Sequence, residues 1–113
     1  MSQVDEQDKF IGCLIELIFH ARTELGYQVT LGHSWRTIEQ QALYYVAKPR
    51  LTKTLKSKHL DRKAQDLNFF KDGKQLKTVA ELRDVGDYWT AMDDNCVWGG
   101  NWKFDPCHFE WRG

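Results

Sequence analysis

The residues best suited to chemistry lie in two segments that are far apart in the sequence. Segment 57–66 carries a hydroxyl on Ser57, an imidazole on His59 and a carboxylate on Asp66. A second imidazole follows much later, on His108, three residues after the carboxylate of Asp105. A catalytic zinc ion commonly takes three protein ligands from His, Asp or Glu and leaves a fourth position for water. Together, the two segments could supply three zinc ligands and a carboxylate base.

The first of these segments runs into a predicted β-strand at 64–70. On that strand Asp66 lies on one face, whereas Leu67 and Phe69 lie on the other face and enter the core. His59 precedes a polar turn and is expected in a loop. One face of the strand is therefore left for chemistry.

The other elements are predicted from apolar spacing, caps and glycines. Three helices are predicted: a core-facing helix over about 4–25 with apolar positions 11, 14, 15, 18 and 25, a helix from Thr37 to about Ala47, and a helix capped by Thr78 that ends near Met92. Strands are predicted at 27–31 and 107–111, and a strand with a glycine turn at 96–102. A further turn is predicted at Asp72-Gly73. The paired glycines of the turn at 96–102 permit positive φ. On the last strand His108 and Glu110 share one face, and Phe109 and Trp111 pack on the other.

The composition predicts one domain of 113 residues with a single core. Its formal net charge is zero and its pI is near 6.9, so global charge gives no reason to expect nucleic acid or a membrane as a partner. Seven of the sixteen Lys and Arg residues fall within 48–63. We interpret this cluster as a solvated loop rather than as a patch for an anionic polymer.

The first six residues are polar and acidic, unlike the basic start of a secretory signal. The apolar stretch 11–19 is too short to span a bilayer and is interrupted by Glu16. Three cysteines without zinc-knuckle spacing are typical of free thiols in a reducing compartment, and a Cys96–Cys107 bridge after export stays open. These features favour synthesis and retention in the cytoplasm, without stable membrane insertion.

Four motifs occur in an order and approximate spacing that match a known peptidase family. They are Arg36-Thr37 with Gln41, Ser57-x-His59-x6-Asp66, Trp98-Gly99-Gly100-x-Trp102 and Asp105-x-x-His108-Phe109-Glu110. From about Val29 onward the chain resembles the zinc D,D-carboxypeptidase and L-alanyl-D-glutamate endopeptidase family, which includes many bacteriophage endolysins. The resemblance implies an α+β fold, shared with Hedgehog-type signalling domains, in which helices flank a small, mainly antiparallel sheet that carries zinc. Residues 1–113 would form a single zinc peptidase catalytic domain.

The resemblance also implies a role for each of seven residues: zinc ligands His59, Asp66 and His108, catalytic base Asp105, and substrate contacts Arg36, Gln41 and Ser57. The base would take a proton from the attacking water and pass it to the leaving amine. Many relatives carry a longer glutamate where this chain has Asp105. We further predict that Glu110 orients a ligand or the loop.

The implied function is hydrolysis of the L-alanyl-D-glutamate bond of peptidoglycan stem peptides by an endolysin-type monomer during phage-mediated lysis. Such an enzyme would be held in the host bacterial cytoplasm and would act on periplasmic peptidoglycan after release. Two alternatives stay open, a D-alanyl-D-alanine carboxypeptidase and a non-catalytic, zinc-stabilised binding module. A cysteine hydrolase using Cys107 is disfavoured, because adjacent side chains on a strand diverge and His108 could not easily activate that thiol.

Overall fold

A computed structural model describes residues 2–32, 63–102 and 104–113. Within these ranges the elements are α1 Gln3–Thr23, β1 Gln28–Leu31, β2 Ala64–Lys71, β3 Lys74–Leu76, α2 Arg83–Met92, β4 Cys96–Trp98, a 3-10 turn Gly99–Asn101, and β5 His108–Trp111. The helix predicted from Thr37 to Ala47 lies outside the described residues.

The strands form an antiparallel sheet in the order β1-β2-β5-β4, and β3 also pairs with β2. The predicted turn between β2 and β3 is confirmed, since Asp72 and Gly73 have φ values of 52° and 79°. Two successive left-handed residues suit a two-residue hairpin, because they match the twist of the flanking strands. With the two helices of the described ranges packed beside this sheet, the predicted α+β fold is confirmed.

Helix α1 begins at a capping box, in which the Ser2 hydroxyl accepts from the Asp5 amide and the Asp5 carboxylate accepts from the Ser2 amide. The prediction of its core-facing stripe is partly wrong, because Ile11 and Ile15 are 47% and 62% exposed. The buried stripe consists of Phe10, Leu14, Leu17 and Ala21. Both stripes are apolar at helical spacing, and contact with the aromatic core decides between them.

The prediction that Thr78 caps α2 is wrong, since the helix begins at Arg83. Thr78 instead forms a reciprocal pair of hydrogen bonds with Glu81, in which the Thr78 hydroxyl accepts from the Glu81 amide and the Glu81 carboxylate accepts from the Thr78 amide. The sequence signature of a capping box is therefore present, but its hydrogen bonds stabilise a turn at 78–81 that precedes the helix.

The core lies between the helices and one face of the sheet, and its centre is aromatic. Phe109 of β5 makes edge-on contacts with Phe69 and Trp89, at ring-centroid distances of 6.0 and 5.7 Å, and Phe10 contacts Trp89 at 5.9 Å. Leu67 and Phe69 are fully buried, as the alternation of β2 predicts. None of the helices in the described ranges is both long and apolar enough to cross a membrane.

Candidate metal centre

Asp66 lies on β2, on the face opposite the core residues Leu67 and Phe69. The backbone carbonyl of Asp66 accepts hydrogen bonds from the Gly32 amide at 2.8 Å and from the Gln65 side chain at 2.8 Å. A Cβ atom on Gly32 would stand only 3.1 Å from Asp66 Cβ, so a glycine lets the end of β1 approach closely. These hydrogen bonds from Gly32 and Gln65 fix the backbone that carries the Asp66 carboxylate.

His108 lies directly opposite Asp66 in the antiparallel pair of β2 and β5. Cross-strand partners place their side chains on the same face of a sheet. Here the Nδ1 atom of His108 is 3.2 Å from Oδ1 of Asp66. The predicted alternation on β5 is confirmed, because His108 and Glu110 contact each other on one face, while Phe109 and Trp111 are buried in the core.

Asp105 reaches this face from the loop between the 3-10 turn and β5. Its amide donates to the Gly99 carbonyl at 3.2 Å, and its own carbonyl accepts from the His108 amide at 3.2 Å. The indole of Trp98 donates to the Pro106 carbonyl at 2.8 Å and fixes the same loop from the core side. Phe104, directly before Asp105, has a φ of 54°, a conformation that costs energy for phenylalanine. The chain therefore turns sharply where it delivers the carboxylate.

The predicted turn is present, but its paired glycines do not use the positive φ that glycine permits. Gly99 and Gly100 are in a 3-10 turn and do not have positive φ. Both are instead required by close contacts. A Cβ atom on Gly99 would stand 2.4 Å from the Asp105 carbonyl oxygen and 2.8 Å from His108 Cβ. A Cβ atom on Gly100 would stand 2.5 Å from the Trp98 ring.

Asp66, Asp105 and His108 come together as a potential metal-binding cluster. One ligand atom from each lies within 4.8 Å of the others; Asp105 is open to solvent and His108 is buried. Two ligands bound to one tetrahedral zinc ion at about 2.0–2.1 Å lie roughly 3.3 Å apart. The 3.2 Å separation of Asp66 Oδ1 and His108 Nδ1 agrees with that spacing. The spacing of this pair and the donor types of the three side chains are compatible with a zinc ion.

The second ring nitrogen of His108 supports the same interpretation. Nε2 is 2.6 Å from Oε1 of the buried Glu110, and because a carboxylate accepts, Nε2 carries a proton. Nδ1 is the nitrogen that faces the Asp66 carboxylate, and in the metal-free protein a proton on Nδ1 gives a positively charged imidazole that pairs with both carboxylates. A metal ion could take the place of that proton, so this arrangement also suits a metal ligand.

Glu110 is held as a carboxylate by its neighbours. Burial alone would raise its pKa, but hydrogen bonds from His108 and Arg112, together with their positive charges, outweigh burial and lower the pKa to about 2. The sequence prediction included Glu110 but not Arg112. The alternation of polar residues at positions 108, 110 and 112 is the signal that could have revealed the whole group.

The thiols are poorly suited to nucleophilic chemistry. Burial, with the charges of Asp105 and Asp66, raises the pKa of the Cys107 thiol to about 11. Burial also raises the pKa of the Cys96 thiol, whose hydrogen-bond partner is Cys13. All three thiols are free. In the described part of the chain, the charges near Cys107 therefore disfavour its thiolate.

The remaining predicted site residues, Arg36, Gln41, Ser57 and His59, lie outside the described residues. Three of the seven predicted positions are therefore brought together, and they come from β2, from β5 and from the loop before β5.

No family model matches this chain, and no curated protein matches it in sequence. Among solved structures, its fold is similar to that of the L-Ala D-Glu endopeptidase ChiX of Serratia marcescens, with a TM-score of 0.64. The alignment covers 95% of this chain and 86% of the ChiX chain, at 20% sequence identity. The chain thus has the α+β fold of a solved endopeptidase, with three candidate metal-binding side chains on one face of its sheet.

Proposed function

We propose that the protein is a zinc-dependent peptidoglycan peptidase that hydrolyses the L-alanyl-D-glutamate bond of wall stem peptides. The observation that carries this proposal is the convergence of Asp66, Asp105 and His108 on one face of a sheet. The fold likeness to ChiX, which is named as an L-Ala D-Glu endopeptidase, supports the choice of bond.

In this proposal Asp66 and His108 hold the zinc ion together with His59. Bound zinc would supply a Lewis acid that lowers the pKa of a water molecule and polarises the scissile carbonyl. The solvent-accessible carboxylate of Asp105 accepts the proton of the attacking water and returns it to the leaving amine. Because Asp105 is anchored through its backbone to Gly99 and His108, its distance from the cluster is set by the fold.

Substrate binding is assigned to residues before β2. The guanidinium of Arg36 is suited to bidentate contact with a carboxylate, and peptidoglycan stem peptides are rich in carboxylates. Ser57 would hydrogen-bond the peptide backbone, and Gln41 would line the same pocket. The motif resemblance supports these three assignments.

We extend the proposal to the biological setting that the same resemblance implies. The protein would act as a monomeric, endolysin-type enzyme in phage-mediated lysis, reaching periplasmic peptidoglycan after release from the host cytoplasm. Expression in a bacterium with and without a membrane-permeabilising protein tests this setting. Lysis that depends on permeabilisation supports it, and lysis by the enzyme alone contradicts it.

Mass spectrometry of purified muropeptides after digestion tests the reaction. Release of a stem peptide from muramoyl-L-alanine supports the endopeptidase. Loss of a single D-alanine would instead identify a carboxypeptidase, and unchanged muropeptides would identify a binding module.

The variant Asp105→Asn tests the base. It should retain zinc but lose at least about 100-fold in turnover, since general base catalysis is typically worth that much. Asp94→Asn removes the same charge from an exposed position outside the cluster and is the matched control. Wild-type turnover by Asp105→Asn would assign the base to another residue.

A further inference from the structure

A chain of polar contacts leads from His108 away from the metal cluster. The Glu110 carboxylate uses both oxygens, accepting from His108 Nε2 at 2.6 Å through Oε1 and from Arg112 Nε at 2.7 Å through Oε2. Glu110 is buried, whereas the Arg112 side chain is 48% exposed. Arg112 follows β5 in the same alternation as His108 and Glu110, and its amide donates to the Asn95 carbonyl at 2.8 Å. Its backbone is thereby tied to the turn before β4.

Arg112 also contacts a second neighbour of His108. Its guanidinium carbon lies 4.8 Å from the centroid of the Trp102 ring. The Trp102 ring in turn meets the His108 ring edge-on, with a centroid distance of 6.3 Å and an interplanar angle of 84°. The four side chains therefore form a closed ring of contacts, in which Arg112 contacts Glu110 and Trp102 and each of these contacts the imidazole.

We propose that Arg112 is a positioning residue of the metal centre, which holds Glu110 and Trp102 so that Nδ1 of His108 faces Asp66 and Asp105. This inference rests on the proposed metal site and extends it outward by one residue. A histidine ring can rotate about two side-chain bonds, and the direction of its lone pair decides whether it binds a metal. Glu110 alone fixes one nitrogen, while Trp102 limits the tilt of the ring plane.

The chemistry of arginine suits both tasks. A planar guanidinium donates to a carboxylate through an N–H in its plane and packs its face on an aromatic ring at the same time. A lysine ammonium could keep the charge but could not maintain both contacts in one geometry. Loss of an outer partner of a metal-binding histidine typically weakens metal affinity about 10–100-fold.

Zinc affinity, measured by competition with a chromophoric chelator, tests the inference. Arg112→Met keeps the aliphatic stem and should weaken zinc binding by about 10-fold, the lower end of that range, because Glu110 itself stays in place. Arg112→Lys should fall between Arg112→Met and the wild type. The cobalt-substituted protein supplies a second measurement, because its visible absorption reports the geometry of the ligands. The cobalt spectrum of Arg112→Met should differ from that of the wild type.

Arg83→Met is the matched control. The Arg83 guanidinium lies 5.0 Å from the Trp98 ring centroid and donates to the amide oxygen of Asn101 at 2.9 Å, so, like Arg112, it combines an aromatic contact with a hydrogen bond to a side-chain oxygen. Its described contacts do not include Asp66, Asp105 or His108. Arg83→Met should therefore keep wild-type zinc affinity within about twofold, even if it lowers the melting temperature as much as Arg112→Met does.

Two results would overturn the inference. The first is wild-type zinc affinity together with a wild-type cobalt spectrum in Arg112→Met. The second is an equal loss of affinity in Arg83→Met. Should Arg112→Met fail to fold, the zinc affinity and cobalt spectrum of Arg112→Lys are compared with those of the wild type instead. A wild-type protein without stoichiometric zinc overturns the proposed function itself, and the inference with it. If the wild type binds zinc but Arg112→Met has the same zinc affinity and cobalt spectrum, the inference alone is overturned.

Discussion

Asp66 and His108 occupy directly opposite positions on two antiparallel strands, and their facing side-chain atoms are 3.2 Å apart. Backbone hydrogen bonds of 2.9 Å fix this register on both sides, from Leu67 to Cys107 and from Trp111 to Lys63. A slip by one residue would move Leu67 to the outer face and Asp66 into the core. The burial of the core therefore specifies which carboxylate meets which imidazole.

Replacing Asp66 with asparagine should remove the metal while leaving the fold intact. The Asp66→Asn substitution keeps the size of the side chain but removes its charge and most of its affinity for zinc. We expect zinc binding to weaken by more than about 100-fold, which exceeds the usual effect of losing an outer partner. Metal analysis after dialysis measures the zinc content, and circular dichroism checks the fold.

Asn68 offers the control for this experiment. It lies two residues further along the same face of β2, where it contacts Thr30 and Gln75 rather than the cluster. Asn68→Ala should keep stoichiometric zinc. Equal zinc contents in Asp66→Asn and the wild type would exclude Asp66 from the ligand set.

Gly99 should tolerate no side chain. A Cβ atom there would stand 2.4 Å from the Asp105 carbonyl oxygen, and a backbone atom cannot move aside as the end of a side chain can. We expect Gly99→Ala to lower the free energy of unfolding by about 1–3 kcal/mol, as overpacking generally does, and to weaken zinc binding by displacing His108. Urea denaturation and chelator competition measure the two effects.

Gly12 should respond in the opposite direction to the same substitution. It lies in α1, and a Cβ atom at this position would meet no neighbouring atom within 4 Å, so Gly12→Ala encounters no obstruction. We expect the free energy of unfolding to rise by about 0.5–1 kcal/mol, because alanine loses less conformational entropy in a helix. A Gly99→Ala protein as stable as Gly12→Ala would contradict the close-contact explanation.

The sequence predicted those parts of the molecule that depend on local periodicity. Strand β2, the outward face of Asp66 and the shared face of His108 and Glu110 all follow from alternation with a period of two, and the structure agrees. The turn at Asp72-Gly73 follows from turn chemistry in the same way.

The errors arose where distant residues decide the outcome. Helix α1 has two apolar stripes, and packing against the core, including the contact of Phe10 with Trp89, selects the one that contains Phe10. The Thr78-Glu81 pair is a capping box by sequence, yet α2 begins at Arg83. Gly99 is needed because the backbone oxygen of Asp105, six residues later, approaches it closely. No rule based on local sequence predicts that contact.

The stability of the metal-free protein should decrease as pH falls from about 4.5 to about 2. The pKa of Glu110 is lowered from an ordinary 4.5 to about 2, so the folded state releases this proton more readily than the unfolded state does. The stabilisation is fully present above pH 4.5 and is lost as pH falls through the folded-state pKa. Melting temperatures measured from neutral pH down to that folded-state pKa report this loss.

Glu110→Gln should flatten that pH dependence, because the amide does not titrate in this range. Glu81→Gln is an informative comparison. Hydrogen bonds from the backbone of Lys77 and Thr78 also lower the pKa of Glu81, but this carboxylate is fully exposed and screened by water. Its substitution should change the slope less. An unchanged slope in Glu110→Gln would mean that other carboxylates account for the acid sensitivity.

The Cys107 thiol should be unreactive and dispensable. With a pKa raised to about 11, roughly one thiol in a thousand is ionised at pH 8, and only the thiolate reacts with an alkylating agent. Iodoacetamide should therefore label Cys107 far more slowly in the folded protein than in urea. Cys107→Ser should retain peptidoglycan hydrolysis within about twofold, since no step assigned to Asp105 needs the sulfur. Loss of hydrolysis in a folded, zinc-loaded Cys107→Ser protein would restore the cysteine hydrolase as the better explanation of the site.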